Sequence, residues 1–274
     1  MARILLISSL TAASHVGATV SAFVMRRLGV DVAVLPTTLF GRHPGWGAPG
    51  GGVTPPKTLR GMWDGVRAQV DQRGRGFDAV MTGYMGHLDH VALAADIIDA
   101  LKPPHVLVDP VMGDAGEAGG GLYVPEARAE AICDRLVPRA HILTPNHWEW
   151  RYITGATDEP AGAPPRALAG VRETLVTSVE DGARIGAMLF ENGITRRVMH
   201  ERFDDMPHGG GDALAADYLA HRVLGADPAQ SLGTAVSSVF AMMRAAEAMD
   251  AGELPFVRAQ STLADAPPLE VETL

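Results

Sequence analysis

The sequence predicts an α/β fold: a mostly parallel central sheet with antiparallel edge strands, covered on both faces by helices in a three-layer αβα sandwich. Two observations carry this prediction. Short, almost entirely apolar segments alternate with longer segments whose apolar residues recur at helical spacing, a rhythm typical of a parallel sheet buried on both faces. Late in the chain, Asn192-Gly193 separates two strand-like segments and predicts a hairpin at one edge of the sheet.

The short apolar runs are the predicted strands, at residues 3–8, 30–36, 78–84, 105–109, 141–144, 172–178, 184–190 and 196–202. The helical patterns are the predicted helices, at residues 16–28, 57–73, 90–102 and 125–136, from 145 onward, and at 212–224 and 227–249. Residues 155–170 are expected to form a loop, and the segment from 254 to cover the surface. Because no repeat or linker interrupts this pattern, residues 1–274 are predicted to form one domain.

Composition excludes several classes of partner. The net charge of −9 argues against nucleic acid or an acidic membrane surface as the main partner. No apolar run approaches transmembrane length and the first residues lack a signal-peptide core, so we expect a cytoplasmic protein. The single cysteine, Cys133, excludes an intrachain disulfide and falls in a helical apolar pattern, which favours a core position.

A glycine run near residue 210 is the strongest functional signal. Gly209, Gly210 and Gly211 lead into Asp212 and then into an apolar helical segment. Glycine amides at a helix N-terminus form a site for anions, because no side chain blocks them and the helix dipole adds positive charge. A carboxylate beside such a site could act as a base in phosphoryl transfer to an alcohol. The alternative is a glycine loop in which Asp212 caps the helix.

Polar residues also follow the predicted parallel strands, at the edge where such sheets bind ligands. Ser9, Thr37 and Tyr84 are expected to face a substrate, and Asp109 and Asp114 to meet Mg²⁺ carried by a nucleotide, directly or through water. For each of these residues, capping or turn formation is the alternative.

Asn146 and Glu149 are three residues apart and therefore share one face at the start of a helix. A capping box explains this spacing. The functional interpretation places Glu149 near water around Mg²⁺ and Asn146 near the nucleotide phosphates.

Residues 38–56 are rich in glycine and proline and predict either a disordered connection or a flap over the site. His43 and Trp46 favour the flap, since an aromatic side chain could stack on a flat ligand ring. His87 and His90 are close in sequence, but without a third ligand they are weak evidence for a metal site.

Several stretches, taken together, resemble pyridoxal kinases of the ribokinase-like superfamily, most closely the bacterial pyridoxamine/pyridoxal kinase branch. The most specific are Asp109-Pro-Val-Met-Gly and Thr144-Pro-Asn-His-Trp-Glu149, and the last is Gly-Gly-Gly-Asp212. The matching stretches run through nearly the whole chain in family order, at residues 25–29, 82–86, 108–114, 122–125, 143–149, 176–178 and 209–212.

The resemblance implies an ATP-dependent kinase that phosphorylates the 5′-hydroxymethyl group of pyridoxal, pyridoxine or pyridoxamine, with Asp212 as general base and residues 209–211 as the anion hole. It implies Mg²⁺ near Asp109 and Glu149, a role for a monovalent cation, a flap that excludes water, and a homodimer. The expected substrate-binding residues are Ser9, Thr37, His43, Pro44, Gly45, Trp46, Tyr84 and Asp212. The expected ATP-binding residues are Asp109, Asp114, Thr144, Asn146, Glu149, Thr177 and Ser178.

Two departures from the family pattern affect these expectations. Gly210 stands where the family commonly has threonine, which removes a hydroxyl but keeps the backbone amides. Pro44 stands where the flap usually has threonine and can supply neither a hydroxyl nor an amide donor. They motivate two alternatives: a kinase of another ring alcohol such as hydroxymethylpyrimidine, or a degenerate member that binds vitamin B6 or a nucleotide without turnover.

Overall fold

A computed structural model describes residues 1–116, 120–156, 168, 170–203 and 207–274. The strands are β1 Arg3–Thr11, β2 Asp31–Phe40, β3 Gly51–Val53, β4 Ala79–Thr82, β5 His105–Val108, β6 Gly113–Asp114, β7 Gly121–Leu122, β8 Ile142–Leu143, β9 Glu173–Asp181, β10 Arg184–Glu191, β11 Ile194–Glu201 and β12 Glu272–Thr273. The helices are α1 Ala18–Arg27, α2 Pro56–Arg73, α3 Leu88–Leu101, α4 Glu126–Ala131, α5 His147–Thr154, α6 Gly210–Val223, α7 Pro228–Ala248 and α8 Thr262–Asp265.

The central sheet has the strand order β12-β11-β10-β9-β8-β5-β4-β1-β2-β3. Strands β9, β8, β5, β4, β1 and β2 pair in parallel. The hairpin β10–β11 and strand β12 add antiparallel strands at one edge, and β3 adds one at the other. The predicted α/β class, with a mostly parallel sheet and antiparallel edges, is therefore confirmed.

The alternation of side chains along β1 shows why its sequence is apolar throughout. Ile4 and Leu6 belong to the core under α1, α6 and α7, whereas Leu5 and Ile7 belong to the core under α2 and α3. Successive side chains point to opposite faces of a sheet, so a strand covered on both faces needs apolar residues at every position.

Several helix and strand boundaries differ from those predicted. Strand β1 continues three residues past the predicted end at 8 through a register shift between Ser8 and Leu10. The helix predicted over 125–136 is α for only six residues and ends in a wider π turn at Ile132–Leu136. Helix α6 begins at Gly210, two residues before the predicted start. The loop predicted at 155–170 lies mostly outside the described residues.

The predicted flap is an ordered hairpin extension of the sheet rather than a disordered connection. Strand β2 runs on to Phe40 and pairs with β3, so residues 41–50 form the tip of the flap. The base of the flap is tied to the loop between β1 and α1, because the amides of Ala12 and Ala13 donate to the carbonyls of Phe40 and Gly41 at 2.8 and 3.0 Å. This places the tip above the C-terminal ends of the parallel strands.

Candidate active site

A cavity of about 220 Å³ lies at the C-terminal ends of β5 and β8, beside the start of α6. Most of the predicted nucleotide, metal and catalytic residues line it, together with one residue of the flap. These residues are His43, Asp109, Asp114, Thr144, Asn146, Glu149, Thr177, Gly209, Gly211 and Asp212.

The glycine run forms the predicted helix N-terminus, two residues earlier than expected. Gly209 is the N-cap residue, with φ of 95°, and a Cβ there would lie 2.2 Å from the carbonyl oxygen of His15. Only glycine fits this conformation and this close approach. The first intrahelical hydrogen bond returns from Ala213 to Gly209, so the amides of residues 210–212 have no acceptor within the helix and can bind an anion.

Asp212 does not cap the helix, and the alternative role considered for it is therefore wrong. It lies in the first turn of α6, where no side chain caps the amides, and its Oδ2 accepts a hydrogen bond from the backbone amide of Gly17 at 2.8 Å. Burial raises the pKa of Asp212 above its ordinary value, and the Gly17 amide opposes part of that shift. Asp212 is thus a fixed carboxylate with raised basicity, which suits a general base.

Ser9 approaches the same point from the first strand. Gly17 has φ of 58°, and a Cβ there would lie 2.3 Å from Ser9 Oγ. Ser9 and Asp212 therefore both lie next to Gly17, the N-cap residue of α1. Ser9 itself is not among the residues that line the cavity, and its contact with a substrate remains a prediction.

Two further carboxylates deepen the negative charge of the cavity. Asp109 directly follows β5 and is buried. Burial raises the pKa of Asp109 well above its ordinary value, and the nearby carboxylates of Asp212 and Glu149 raise it further. Only the Thr144 hydroxyl opposes this shift. Burial also raises the pKa of Glu149 to about 7, against hydrogen bonds from three backbone amides. Such shifts mark carboxylates that lack a nearby cation.

Asn146 and Glu149 form the capping box that their spacing allowed. Asn146 Oδ1 accepts from the Glu149 amide at 2.8 Å, and Glu149 Oε2 accepts from the Asn146 amide at 3.0 Å. Both side chains also reach the loop after β5: Glu149 Oε1 accepts from Met112 N at 2.7 Å, and Asn146 Nδ2 donates to Gly113 O at 2.8 Å. The pair therefore holds the loop that carries Asp114 against the cavity.

A second cavity of about 250 Å³ adjoins the first and shares Asp114, Thr177, His208, Gly209 and Gly211 with it. Ser178 and Gly210 line this second cavity only. Ser178 has φ of 58° and is the extra residue where the register of β9 and β10 shifts. Such a bulge turns neighbouring side chains away from strict alternation, which brings Thr177 and Ser178 to the same opening.

Apart from His43 and Asp212, the predicted substrate residues line neither cavity, Ser9 included. Thr37 is completely buried, and its hydroxyl donates to the backbone oxygen of Tyr84 at 2.6 Å. Tyr84 lies two residues past β4, and its hydroxyl is 3.5 Å from the guanidinium of Arg128. Trp46 closes a short 3₁₀ turn with Pro44 and Gly45 at the flap tip and is 42% exposed. Their contact with a substrate remains a prediction.

Two polar residues that line the cavity, Tyr123 and His208, had no predicted role, and neither had Gly17, which binds Asp212. Tyr123 belongs to a stretch that carried the family resemblance. His208 directly precedes the glycines, a position that could have drawn notice. Gly17 has no local signal, since its role depends on two distant segments meeting.

The donor set fits a Mg²⁺ that arrives with a nucleotide. Within the described ranges, no group of three or more His, Cys, Asp or Glu side chains is arranged to hold a metal ion. Mg²⁺ commonly takes one or two carboxylates, with phosphate oxygens and water completing its shell. Asp109 and Glu149, whose raised pKa values reflect uncompensated burial, could supply that carboxylate share.

Comparisons with known proteins agree with this geometry. A family model described as phosphomethylpyrimidine kinase matches residues 62–257. A pyridoxal kinase of Corynebacterium diphtheriae is 32% identical over 277 residues, covering 96% of this chain and 95% of that protein. Among solved structures, the pyridoxal kinase of Entamoeba histolytica superposes with a TM-score of 0.89 at 20% identity, covering 100% of both chains. The Staphylococcus aureus pyridoxal kinase in complex with AMP-PCP and pyridoxal gives a TM-score of 0.79 at 16% identity, covering 100% of this chain and 98% of that one.

The sheet topology and the structural superposition define an α/β fold of the kind seen in solved pyridoxal kinases. Within that class, the chain belongs to the pyridoxal kinase family. In the part of the chain that the structure describes, no helix has the length and apolar character needed to cross a membrane.

Proposed function

We propose that this chain phosphorylates the 5′-hydroxymethyl group of pyridoxal, and of pyridoxine or pyridoxamine, with ATP as donor and Asp212 as general base. Membership of the pyridoxal kinase family supports the donor and the class of acceptor. The observation that carries the residue assignment is the cavity itself, where Asp212 stands beside the free amides that begin α6.

Asp212 is suited to accept the proton of the attacking hydroxyl. The Gly17 amide fixes one of its oxygens, which leaves Oδ1 available to the substrate. Burial favours the protonated form of the side chain, so the carboxylate gains basicity without losing its orientation. Ser9, which lies next to Gly17, is the residue that we expect to contact the ring that carries this hydroxyl.

The amides of residues 210–212 are placed to receive the oxygens of the transferred phosphoryl group. They are backbone donors fixed by the helix, so they need no rearrangement when charge develops in the transition state. Mg²⁺, when bound, would neutralise part of the phosphate charge. Asp109 and Glu149 would hold it directly or through water, while Thr144, Thr177, Ser178 and Asp114 line the path of the nucleotide phosphates.

Asn146 acts mainly by holding other residues in position. Its side-chain oxygen and nitrogen are both engaged with the protein, so it keeps the loop after β5 in place and presents Asp114. The homodimer and a monovalent cation follow from the resemblance, the cytoplasmic location follows from the apolar pattern of the sequence, and all three remain predictions.

A second candidate acceptor is hydroxymethylpyrimidine. The family model that covers residues 62–257 carries the description phosphomethylpyrimidine kinase, and Pro44 alters the flap at a position expected to contact the ring. The chemistry is the same in both cases, because each acceptor is a hydroxymethyl group on a flat heteroaromatic ring.

The experiment offers ATP and Mg²⁺ with pyridoxal, pyridoxine, pyridoxamine or hydroxymethylpyrimidine and measures both ADP release and the phosphorylated product by ³¹P NMR. We expect pyridoxal to give the highest kcat/KM. A larger kcat/KM for hydroxymethylpyrimidine would reassign the substrate. Thermal stabilisation by ligands with no product from any of the four would show a binding protein without turnover and would end the kinase proposal.

A further inference from the structure

Two histidines from different parts of the chain stack across the mouth of the phosphoryl-transfer cavity. His43 lies in the flap tip and His208 directly before the anion-hole glycines. Their ring centroids are 4.4 Å apart and their planes are inclined by 32°. Both line the cavity that holds Asp109 and Asp212, and His208 also lines the adjoining cavity. The contact therefore joins the flap to the anion hole.

The backbone around His43 fixes the direction of its ring. The His43 amide donates to Ser14 Oγ at 3.1 Å, and its Nδ1 accepts from the Gly45 amide at 3.2 Å. Because Nδ1 is an acceptor here, the hydrogen of the neutral ring is on Nε2, the nitrogen that remains free for a partner. The flap is thus anchored at its base by residues 12–14 and at its tip by the histidine pair.

We propose that His43 and His208 form a clasp that holds the flap closed over the phosphoryl-transfer cavity, and that both are positioning residues rather than contacts to the vitamin ring. The proposal rests on the kinase function above, since it assigns the clasp the task of keeping water away from the transferred phosphoryl group. It changes the predicted role of His43, which lines the cavity with the carboxylates and not the side of Tyr84.

The pair is suited to a reversible contact. The rings are in contact and inclined by 32°, and in the part of the chain that the structure describes no hydrogen bond joins the two side chains. Burial, and then His208 itself, lower the pKa of His43, while Glu253 opposes this, so the contact favours the neutral ring of the flap histidine. His208 is exposed and sits on the loop that leads into Gly209, so it can move with the phosphate side of the site.

A double-mutant cycle on the full chain tests the clasp directly. His43→Ala, His208→Ala and the double variant are compared for the ratio of idle ATP hydrolysis to pyridoxal phosphorylation, and for amide hydrogen exchange in residues 41–50 without ligand. Each single variant is expected to raise the hydrolysis ratio about tenfold and to speed exchange in the tip, and the double variant to add little to either. His208→Phe, which keeps a stacked ring, is expected to restore most of the protection from exchange.

His87→Ala is the matched control, because His87 is a surface histidine that caps α3 outside both cavities. It should leave the hydrolysis ratio and the exchange of residues 41–50 unchanged. Fully additive effects of the two alanine variants, or unaltered exchange in the tip, would overturn the clasp while leaving the kinase intact. Absence of phosphorylated pyridoxal from the wild-type chain would instead refute the proposed function, and the exchange cycle would still report on the clasp.

Discussion

Two clusters built around buried carboxylates lie at opposite ends of the same parallel sheet, and they differ in whether a cation neutralises the carboxylate. Glu173 is the first residue of β9, at the N-terminal end of the strands, and its carboxylate accepts from Tyr218 Oη at 2.7 Å and from Arg222 Nη2 at 2.8 Å. Asp109 and Asp212 occupy the other end, where their nearest charged neighbours are carboxylates. The first cluster is neutralised by the protein itself, whereas the second is not.

This difference indicates which cluster stabilises the fold and which is available for binding or reaction. A buried carboxylate that is hydrogen-bonded to a cation needs no further ligand, because its charge is neutralised and its oxygens have hydrogen-bond donors. Buried carboxylates without a cation cost stability, and such groups cluster where a cationic or reacting ligand completes them. Among the described residues, no Lys, Arg or His forms an ion pair with Asp109, Glu149 or Asp212.

The largest expected effect comes from Asp212→Asn. Loss of the base should lower kcat for pyridoxal by about 10²–10⁴, while the amide side chain can still accept from the Gly17 amide. Since the substitution removes an unneutralised buried charge, the free energy of unfolding should stay the same or rise. Steady-state kinetics and urea denaturation measure the two quantities. Near-normal kcat in the folded variant would remove Asp212 from the mechanism.

Glu173→Gln should give the opposite result. Arg222 would lose the carboxylate that neutralises it, so we expect the free energy of unfolding to fall by about 3 kcal/mol. The kcat should remain within about twofold of wild type at a temperature where the variant is folded, because Glu173 is at the far end of the strands. If this variant lost activity while keeping its stability, the division between the two clusters would be wrong.

Asp217 is an unneutralised buried carboxylate away from the candidate active site, so it allows the stability cost of such a group to be measured. It is completely buried in α6, and burial raises its pKa from 3.8 to about 7, with the Ser238 hydroxyl opposing this. His221 Nε2 is 3.3 Å from its Oδ1, and burial lowers the pKa of that histidine, which disfavours the charged ring. Because the folded state binds the proton of Asp217 more tightly than the unfolded state, wild-type stability should fall as pH rises towards 7.

Asp217→Asn should remove this part of the pH dependence. We expect the free energy of unfolding to decline less steeply between about pH 4 and pH 7, by on the order of 1–4 kcal/mol in total. Urea denaturation of both proteins across this range measures the slopes. Asp109, Asp212 and Glu149 keep their own contribution, which acts in the same direction. Identical slopes in the two proteins would show that Asp217 is ionised when buried.

The sequence predicts what local pattern and strand order determine. Apolar runs and helical spacing predict the parallel sheet, and because ligands bind beyond its C-terminal strand ends, Asp109 and Thr144 could be placed at the cavity. The spacing of Asn146 and Glu149 predicts their capping box. These patterns involve residues that are close in sequence, so they can be recognised without knowledge of the tertiary structure.

Long-range contacts were not predictable in the same way. The amide of Gly17 reaches Asp212 across 195 residues, and the ring of His43 meets that of His208 through the position of the flap. Thr37 shows what a strand-end position leaves open: it predicts a substrate contact, which remains a prediction, but not that the buried hydroxyl donates to the backbone oxygen of Tyr84. A polar residue at a strand end faces the ligand or the protein according to what packs over it.

The smallest expected effect concerns Gly210, where the chain departs from its family. A Cβ at this position would lie 2.9 Å from Cε of Met243, the flexible end of a side chain, so Gly210→Thr should fold with Met243 displaced at a cost of about 1 kcal/mol. If the added hydroxyl reaches a nucleotide phosphate, kcat/KM for ATP should rise by up to about tenfold, the value of one neutral hydrogen bond. Met243→Leu in the same chain provides room and should recover the lost stability while keeping the gain. A fall in kcat/KM for ATP in both variants would show that the second cavity needs the space that glycine leaves open, and that the anion hole of this chain works through its backbone amides alone.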